Sequence, residues 1–368
     1  MIRLENLSKH FASSIAVDGV SMEVAEGEVC VLLGPSGCGK TTTMKMINRL
    51  IEPSSGKVFI DGRDTSSVDV VELRRSIGYV IQQIGLFPNK TIEDNICIVP
   101  DLLGKDRKAS RRRAAELLEM VNLDPAIFSK RYPKELSGGQ QQRVGVIRAL
   151  AADPPVLLMD EPFGAIDPIN REVIQDEFMK LQASLKKTVI FVSHDIDEAV
   201  KMASNVAIFR SGKLVQYDTP DNLLAHPADS FVADFVGTDR TLKRLRLISV
   251  RDAMTADPPR VRAEDPAELA TALMREHDHA SIVMVGPRGR ARGYVRRDTT
   301  EGRAEPISEL FEKLPCMINV NDNLRNAVSM MFTNDLSWLP CVDDDGFYKG
   351  YITQQGITHL LGATYRDI

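Results

Sequence analysis

"VCVLLGPSGCGKTT", Val29 to Thr42, decides the fold. Val29–Leu33 is a short unbroken apolar run, which suits a strand buried on both faces better than a helix. Gly34, Gly39, Lys40 and Thr41 then follow in the spacing GxxxxGK[ST]. Glycines in such a loop let backbone N–H groups close around phosphate oxygens, and a helix starting there adds its partial positive charge. On this reading Gly34, Pro35, Ser36, Gly37, Cys38, Gly39, Lys40, Thr41 and Thr42 cradle the phosphates of ATP. Lys40 reaches the β and γ phosphates and Thr41 holds Mg2+. The next residues, "TTMKMINRLIE", carry Met44, Ile47 and Ile51 at helical spacing.

Working outward, "IGYVI" (77–81), "PVLLMD" (155–160) and "TVIFVS" (188–193) read as further buried strands among helix-like segments, the pattern of an α/β fold. "KVFIDGRD" and "VAIFRSGKLVQY" read as strand pairs turning at Asp61-Gly62 and Ser211-Gly212. Between about 86 and 152 the character changes to helix, as in "RKASRRRAAELLEMV". In a nucleotide-binding sheet the ligand sits beyond the carboxyl ends of the strands. Asp160 and Glu161 stand at one such end, Asp160 as a second magnesium anchor and Glu161 placed to polarise an attacking water. His194 ends another strand, within reach of a γ-phosphate. Gln82 follows a third and is placed to watch both metal and water, with Gln83 beside it as the other candidate.

A second glycine turn, "ELSGGQQQRV" (135–144), poses a different question. One nucleotide's phosphates are saturated by the first loop, so Ser137, Gly138 and Gly139 fit a nucleotide held by another copy of the chain. A twofold-symmetric homodimer, in which each chain gives one loop and receives one, satisfies this.

Composition narrows the class. The chain has 368 residues, 43% hydrophobic and 26% charged, with a net charge of −5, ordinary values that give no footprint for a nucleic-acid partner. Its five cysteines show no metal spacing and suit a reducing compartment. "MIRLENLSKH" has no apolar signal region, and no apolar run approaches the roughly 20 residues of a membrane span. A membrane role is therefore expected only through a partner.

Taken in order, "GPSGCGKTT", "VIQQIGLFP", "LSGGQQQRV", "LLMDEP", "GAID" and "VSHD" resemble the ATPase subunit of an ABC transporter over residues 1–237. The resemblance implies a P-loop NTPase with a RecA-like core and a helical subdomain. It implies that Phe11 stacks on adenine, that Asp167 bridges the dimer, and that Ser137, Gly138, Gly139 and Gln140 contact the nucleotide of the partner chain. It also implies that the segment after Gln82 meets separate permease subunits in the membrane, which places the chain at the cytoplasmic face.

The remaining third is an internal repeat. A unit over 251–305 and another over 306–368 each run strand, helix, strand, turn, strand, after a basic stretch, 238–250, read as a linker. The pair resembles tandem CBS domains, and the junction "DRTLKRLRLISVRDAM" resembles importers of glycine betaine, carnitine or choline, which work with an extracellular or periplasmic solute-binding protein. A related importer of another solute, such as an amino acid, is one alternative, and a soluble ABC ATPase outside transport is another. CBS pairs commonly bind adenosine nucleotides. Here "GYITQQG" supplies Thr353 but has Gly356 where the usual ribose-binding Asp would stand, and "GYVRRDT" has Arg296 and Thr299 at the two key positions. Cyclic di-AMP, a response to ionic strength, or a purely structural dimerisation role are the expectations for this tail.

Overall fold

The computed structural model describes residues 1–81, 85–164 and 166–363, and divides into two compact units, Met1–Thr238 and Asp239–Ile368. Each is described by itself.

The first unit is built on a six-stranded sheet in the order 213–218, 205–210, 29–33, 188–192, 156–160, 77–80. All neighbours are parallel except the edge strand Lys213–Asp218, which turns back antiparallel on Asn205–Arg210. Val29–Leu33, Val156–Asp160 and Thr188–Val192 are buried at every position. That burial explains their unbroken apolar sequence: helices or a second sheet cover both faces of a parallel sheet. Both anticipated hairpins form. Asp61 and Gly62 have φ of 51° and 74°, and Ser211 and Gly212 of 48° and 83°, the paired left-handed geometry that matches strand twist in a tight turn.

A four-stranded antiparallel sheet, in the order 14–24, 2–11, 55–60, 63–64, also belongs to this unit. The short-apolar-run reading passed over its first hairpin, because Ile2, Leu4 and Leu7 alternate with polar residues instead of forming a run. Their side chains share one core with Leu32, Leu158, Ile190 and Phe209 of the parallel sheet.

The helical segment holds Ile92–Leu102, Arg107–Met120, Pro125–Phe128 and Gly138–Leu150. Caps set several of its starts: Thr91 accepts from Asp94 N, and Asp106 from Ala109 N. Buried Asn95 pins the loop before them, accepting from Phe87 N at 2.8 Å and donating to the carbonyls of Phe87, Lys90 and Thr91.

The second unit contains two four-stranded sheets, in the orders 255–256, 348–353, 338–342, 318–319 and 260–262, 281–285, 291–296, 312–313. The repeat is visible, with two strands exchanged between its units. Thr255–Ala256, ahead of the first repeat's own sheet, pairs with Tyr348–Thr353 of the second, and Glu312–Lys313 pairs with Ala291–Arg296 of the first. Glycine permits both crossings. A Cβ on Gly350 would lie 2.3 Å from the Thr255 carbonyl oxygen, and one on Gly293 2.6 Å from that of Glu312. The stretch read as a linker is structured: Arg240–Arg244 is helical, and Leu245 and Val250 join the buried cluster around Leu324, Met331 and Ile352.

Candidate functional site

The phosphate loop leaves the central strand Val29–Leu33 and enters the helix Lys40–Ile47. Gly34, Gly37 and Gly39 have φ of 140°, 78° and 107°, left-handed values that a side chain would strain. Two of them are also crowded: a Cβ on Gly34 would fall 2.2 Å from the Phe209 carbonyl oxygen, and one on Gly39 2.4 Å from that of Ala16. The Lys40 ammonium lies against the loop, donating to the carbonyls of Gly34 at 2.7 Å and Pro35 at 2.9 Å. Loop and lysine are thus one preorganised structure.

The adjacent strands bring their ends to this loop. Thr41 Oγ1 donates to Asp160 Oδ1 at 3.1 Å, joining residues 119 apart in sequence. Asp160 is only 6% exposed, and burial pushes its carboxyl above the ordinary aspartate range, with the Thr41 hydrogen bond opposing. A hydroxyl and a carboxylate side by side are hard oxygen donors of the kind Mg2+ takes. Glu161 adopts a left-handed φ of 48°, held by its N–H donating to Val192 O at 3.1 Å. That turn carries its carboxylate to within 3.8 Å of His194 Nδ1. Glu161 and His194 line a cavity of about 240 Å3 with Ala16 and the loop residues Ser36–Thr42.

Glu198 and Gln175 lie beneath His194 and were not singled out from the sequence. Ser193 Oγ donates to Glu198 Oε2 at 2.7 Å, and Gln175 Nε2 to its Oε1 at 3.2 Å. Burial raises the Glu198 carboxyl, and the Ser193 hydrogen bond opposes this. The network anchors the turn from which His194 projects. An acid in the first turn of a short helix, where acids are common, gives no sequence signal of such a role.

Ser137, Gly138, Gly139 and Gln140 do not join the phosphate loop. They line a separate cavity of about 500 Å3 together with Asp167 and Arg143. Ser137 caps the helix Gly138–Leu150 in a reciprocal box: Gln140 N donates to Ser137 Oγ at 3.4 Å, and Ser137 N to Gln140 Oε1 at 3.0 Å. A Cβ on Gly138 or Gly139 would meet nothing within 4 Å, so this helix start faces open space. Phe11 ends the strand Ile2–Phe11, is 47% exposed, and has Lys9 Nζ 5.3 Å from its ring centroid. Gln82 lies outside the described residues.

In the second unit, residues of both repeats enclose a cleft of about 590 Å3. Thr353 lines it, with Oγ1 accepting from Gly356 N at 2.9 Å. Two residues earlier on the same strand, Tyr351 has its OH 2.8 Å from His279 Nε2. Burial, then the neighbouring His277, lowers the His279 pKa.

Among the described residues, no helix is long and apolar enough to cross a membrane. The ABC transporter family profile matches residues 17–164, and the CBS domain profile matches 250–299 and 307–363. The osmoprotectant import ATP-binding protein OsmV of Salmonella typhimurium is 53% identical over 99% of this chain and 97% of its own length. The glycine betaine/carnitine/choline transport ATP-binding protein OpuCA of Bacillus subtilis is 44% identical over 98% and 96%. Among solved structures, the ATP-binding cassette MJ0796, in a dimeric post-hydrolysis state bound to ADP and Pi, matches with a TM-score of 0.54 and 35% identity. That match covers 60% of this chain and 99% of the other.

Proposed function

The chain belongs to the ABC transporter ATP-binding proteins that carry a tandem CBS tail, and from that premise we propose that it energises import of a quaternary-ammonium osmoprotectant. The observation that carries the chemistry is the meeting of Thr41, Asp160, Glu161 and His194 around one phosphate loop. The cargo reading is supported by identity along nearly the whole chain to relatives named for osmoprotectant or glycine betaine transport.

In this mechanism the loop N–H groups and Lys40 bind the phosphates of ATP, with Phe11 against the adenine. Thr41 and Asp160 would hold Mg2+, with Gln82 the further ligand expected from the sequence, and a metal there would supply positive charge against the phosphate oxygens. Glu161 takes the proton of an attacking water, and His194 orients against the γ-phosphate beside it. Ser137, Gly138, Gly139 and Gln140 serve the nucleotide of a second copy, with Asp167 at the seam. Their separation from the phosphate loop within one chain supports that arrangement, as does the dimeric state named for the MJ0796 cassette. Closure follows because the γ-phosphate bridges both chains only in the closed dimer.

Permease subunits take up the motion at the loop pinned by Asn95, where Phe87 is 47% exposed. The chain then sits at the cytoplasmic face through those subunits, and a solute-binding protein delivers cargo from the other side. The tail regulates this cycle. Cyclic di-AMP was the nucleotide expectation; the described lining of the 590 Å3 cleft offers no lysine or arginine to its phosphates.

Uptake of labelled glycine betaine, carnitine and choline tests the reading. Deleting the gene should abolish uptake of at least one, wild-type chain should restore it, and Glu161→Gln should not. Unchanged uptake of all three would overturn the cargo assignment.

A further inference from the structure

We propose that the cleft between the two repeats of the tail binds a quaternary-ammonium cation. The site is built from both repeats: His277, Asp278 and His279 come from one, and Trp338, Tyr351 and Thr353 from the other. Its volume of about 590 Å3 lies within the usual range of small-molecule pockets.

Charge selects the ligand class. Among the described lining residues none is lysine or arginine, and Asp278 carries the one carboxylate. Two backbone donors at the start of the helix Gln354–Ala363 are already engaged. Gln354 N donates to Ser337 O at 3.0 Å, and Gly356 N to Thr353 Oγ1 at 2.9 Å. A phosphate entering here finds a carboxylate and, among the described lining residues, no lysine or arginine.

A bulky, weakly hydrated cation finds the opposite. Trp338 and Tyr351 supply aromatic surface, whose negative faces attract such cations, and Asp278 supplies the counter-charge. The aromatic groups are preorganised. The Tyr351 ring stands edge-on to His279 at 5.0 Å, tied by the hydroxyl contact, and Trp338 stands edge-on to Tyr294 at 5.8 Å. Occupation of the cleft by a molecule of the cargo's own class would report internal solute to the importer. That regulatory meaning rests on the cargo reading above; the binding itself does not.

Trp338 is the chain's one tryptophan, so its emission reports on the cleft in the full-length protein. Choline or tetramethylammonium should change that emission saturably, whereas sodium chloride at equal ionic strength should not. Equilibrium dialysis with labelled choline counts bound ligand independently of the indole. Asp278 already has a φ of 53°, a conformation asparagine accepts as readily, so Asp278→Asn should keep the fold. Asp278→Asn and Tyr351→Leu should each weaken choline binding about 3- to 30-fold. The proposal is overturned if no labelled choline is retained, if both variants retain it as wild type does, or if only cyclic di-AMP or AMP changes the emission. ATP hydrolysis by the same preparation, read in parallel, keeps a failed cleft distinct from a failed cassette.

Discussion

The Nδ1 atom of His194 stands 3.8 Å from the Glu161 carboxylate, although the two residues leave different strands. Those strands are paired, Asp160 opposite Val192, so the two turns emerge side by side at one end of the sheet. Glu161 reaches the site only by leaving its strand through a left-handed residue, a conformation costing of order 1 kcal/mol or more. A chain that keeps such a residue beside a phosphate loop has placed that carboxylate with care.

Glu161→Gln should therefore spare nucleotide binding and remove turnover. We expect ATPase activity to fall by at least ~10²-fold, with affinity for a fluorescent ATP analogue within a few-fold of wild type. Near-normal hydrolysis would sink its role as the base.

Asp160→Asn should separate stability from activity. Burial raises the folded pKa of Asp160, so the folded state holds that proton more tightly than the unfolded chain. Its ionisation therefore costs stability as pH climbs above the ordinary aspartate value. Asn never ionises and can still accept from Thr41. Without nucleotide, melting at pH 7 should rise by ~2–4 °C, a gain that shrinks towards pH 4, while Mg2+-dependent hydrolysis disappears. A lower melting temperature at pH 7 would contradict the assigned cause.

Gly139→Asp tests the second glycine turn. Nothing lies within 4 Å of a Cβ there, so the variant should fold and bind ATP as wild type does. A carboxylate facing the partner's γ-phosphate should block ATP-dependent dimerisation in a Glu161→Gln background, read by light scattering, and lower wild-type turnover ~10²-fold. An ATP-dependent dimer that persists would exclude this turn from the interface.

Gly39→Ala should act oppositely, through the fold. Its Cβ would lie 2.4 Å from the Ala16 carbonyl at a φ of 107°. We expect a loss of ~1–3 kcal/mol in denaturant unfolding, with ATP binding lost at the same time.

Features written in consecutive residues were the most legible. The phosphate loop, the Asp160–Glu161 pair, the hairpin turns and the repeated tail all declare themselves locally, because each needs particular residues at fixed spacing. The left-handed turn at Glu161 does not, since φ leaves no mark on a glutamate's neighbours. Nor does the support of His194 by Glu198 and Gln175, which depends on how two helices meet the sheet. Thr255–Ala256 and Glu312–Lys313 are two residues long, too short for any period to show. Only the glycines of "GYI" and "GYV" hint that something must pass close by.

Those crossings make the two repeats mutually obligate. Each half of the tail carries the last strand of the other's sheet, so a break near residue 303 strips an edge from both products at once. Unfinished edges invite pairing with other chains. Half a tail is thus an aggregation hazard rather than a smaller regulator, and gene truncation or proteolytic trimming is tolerable only ahead of the whole pair. Whatever signal the tail carries, it is inherited, and lost, in one piece.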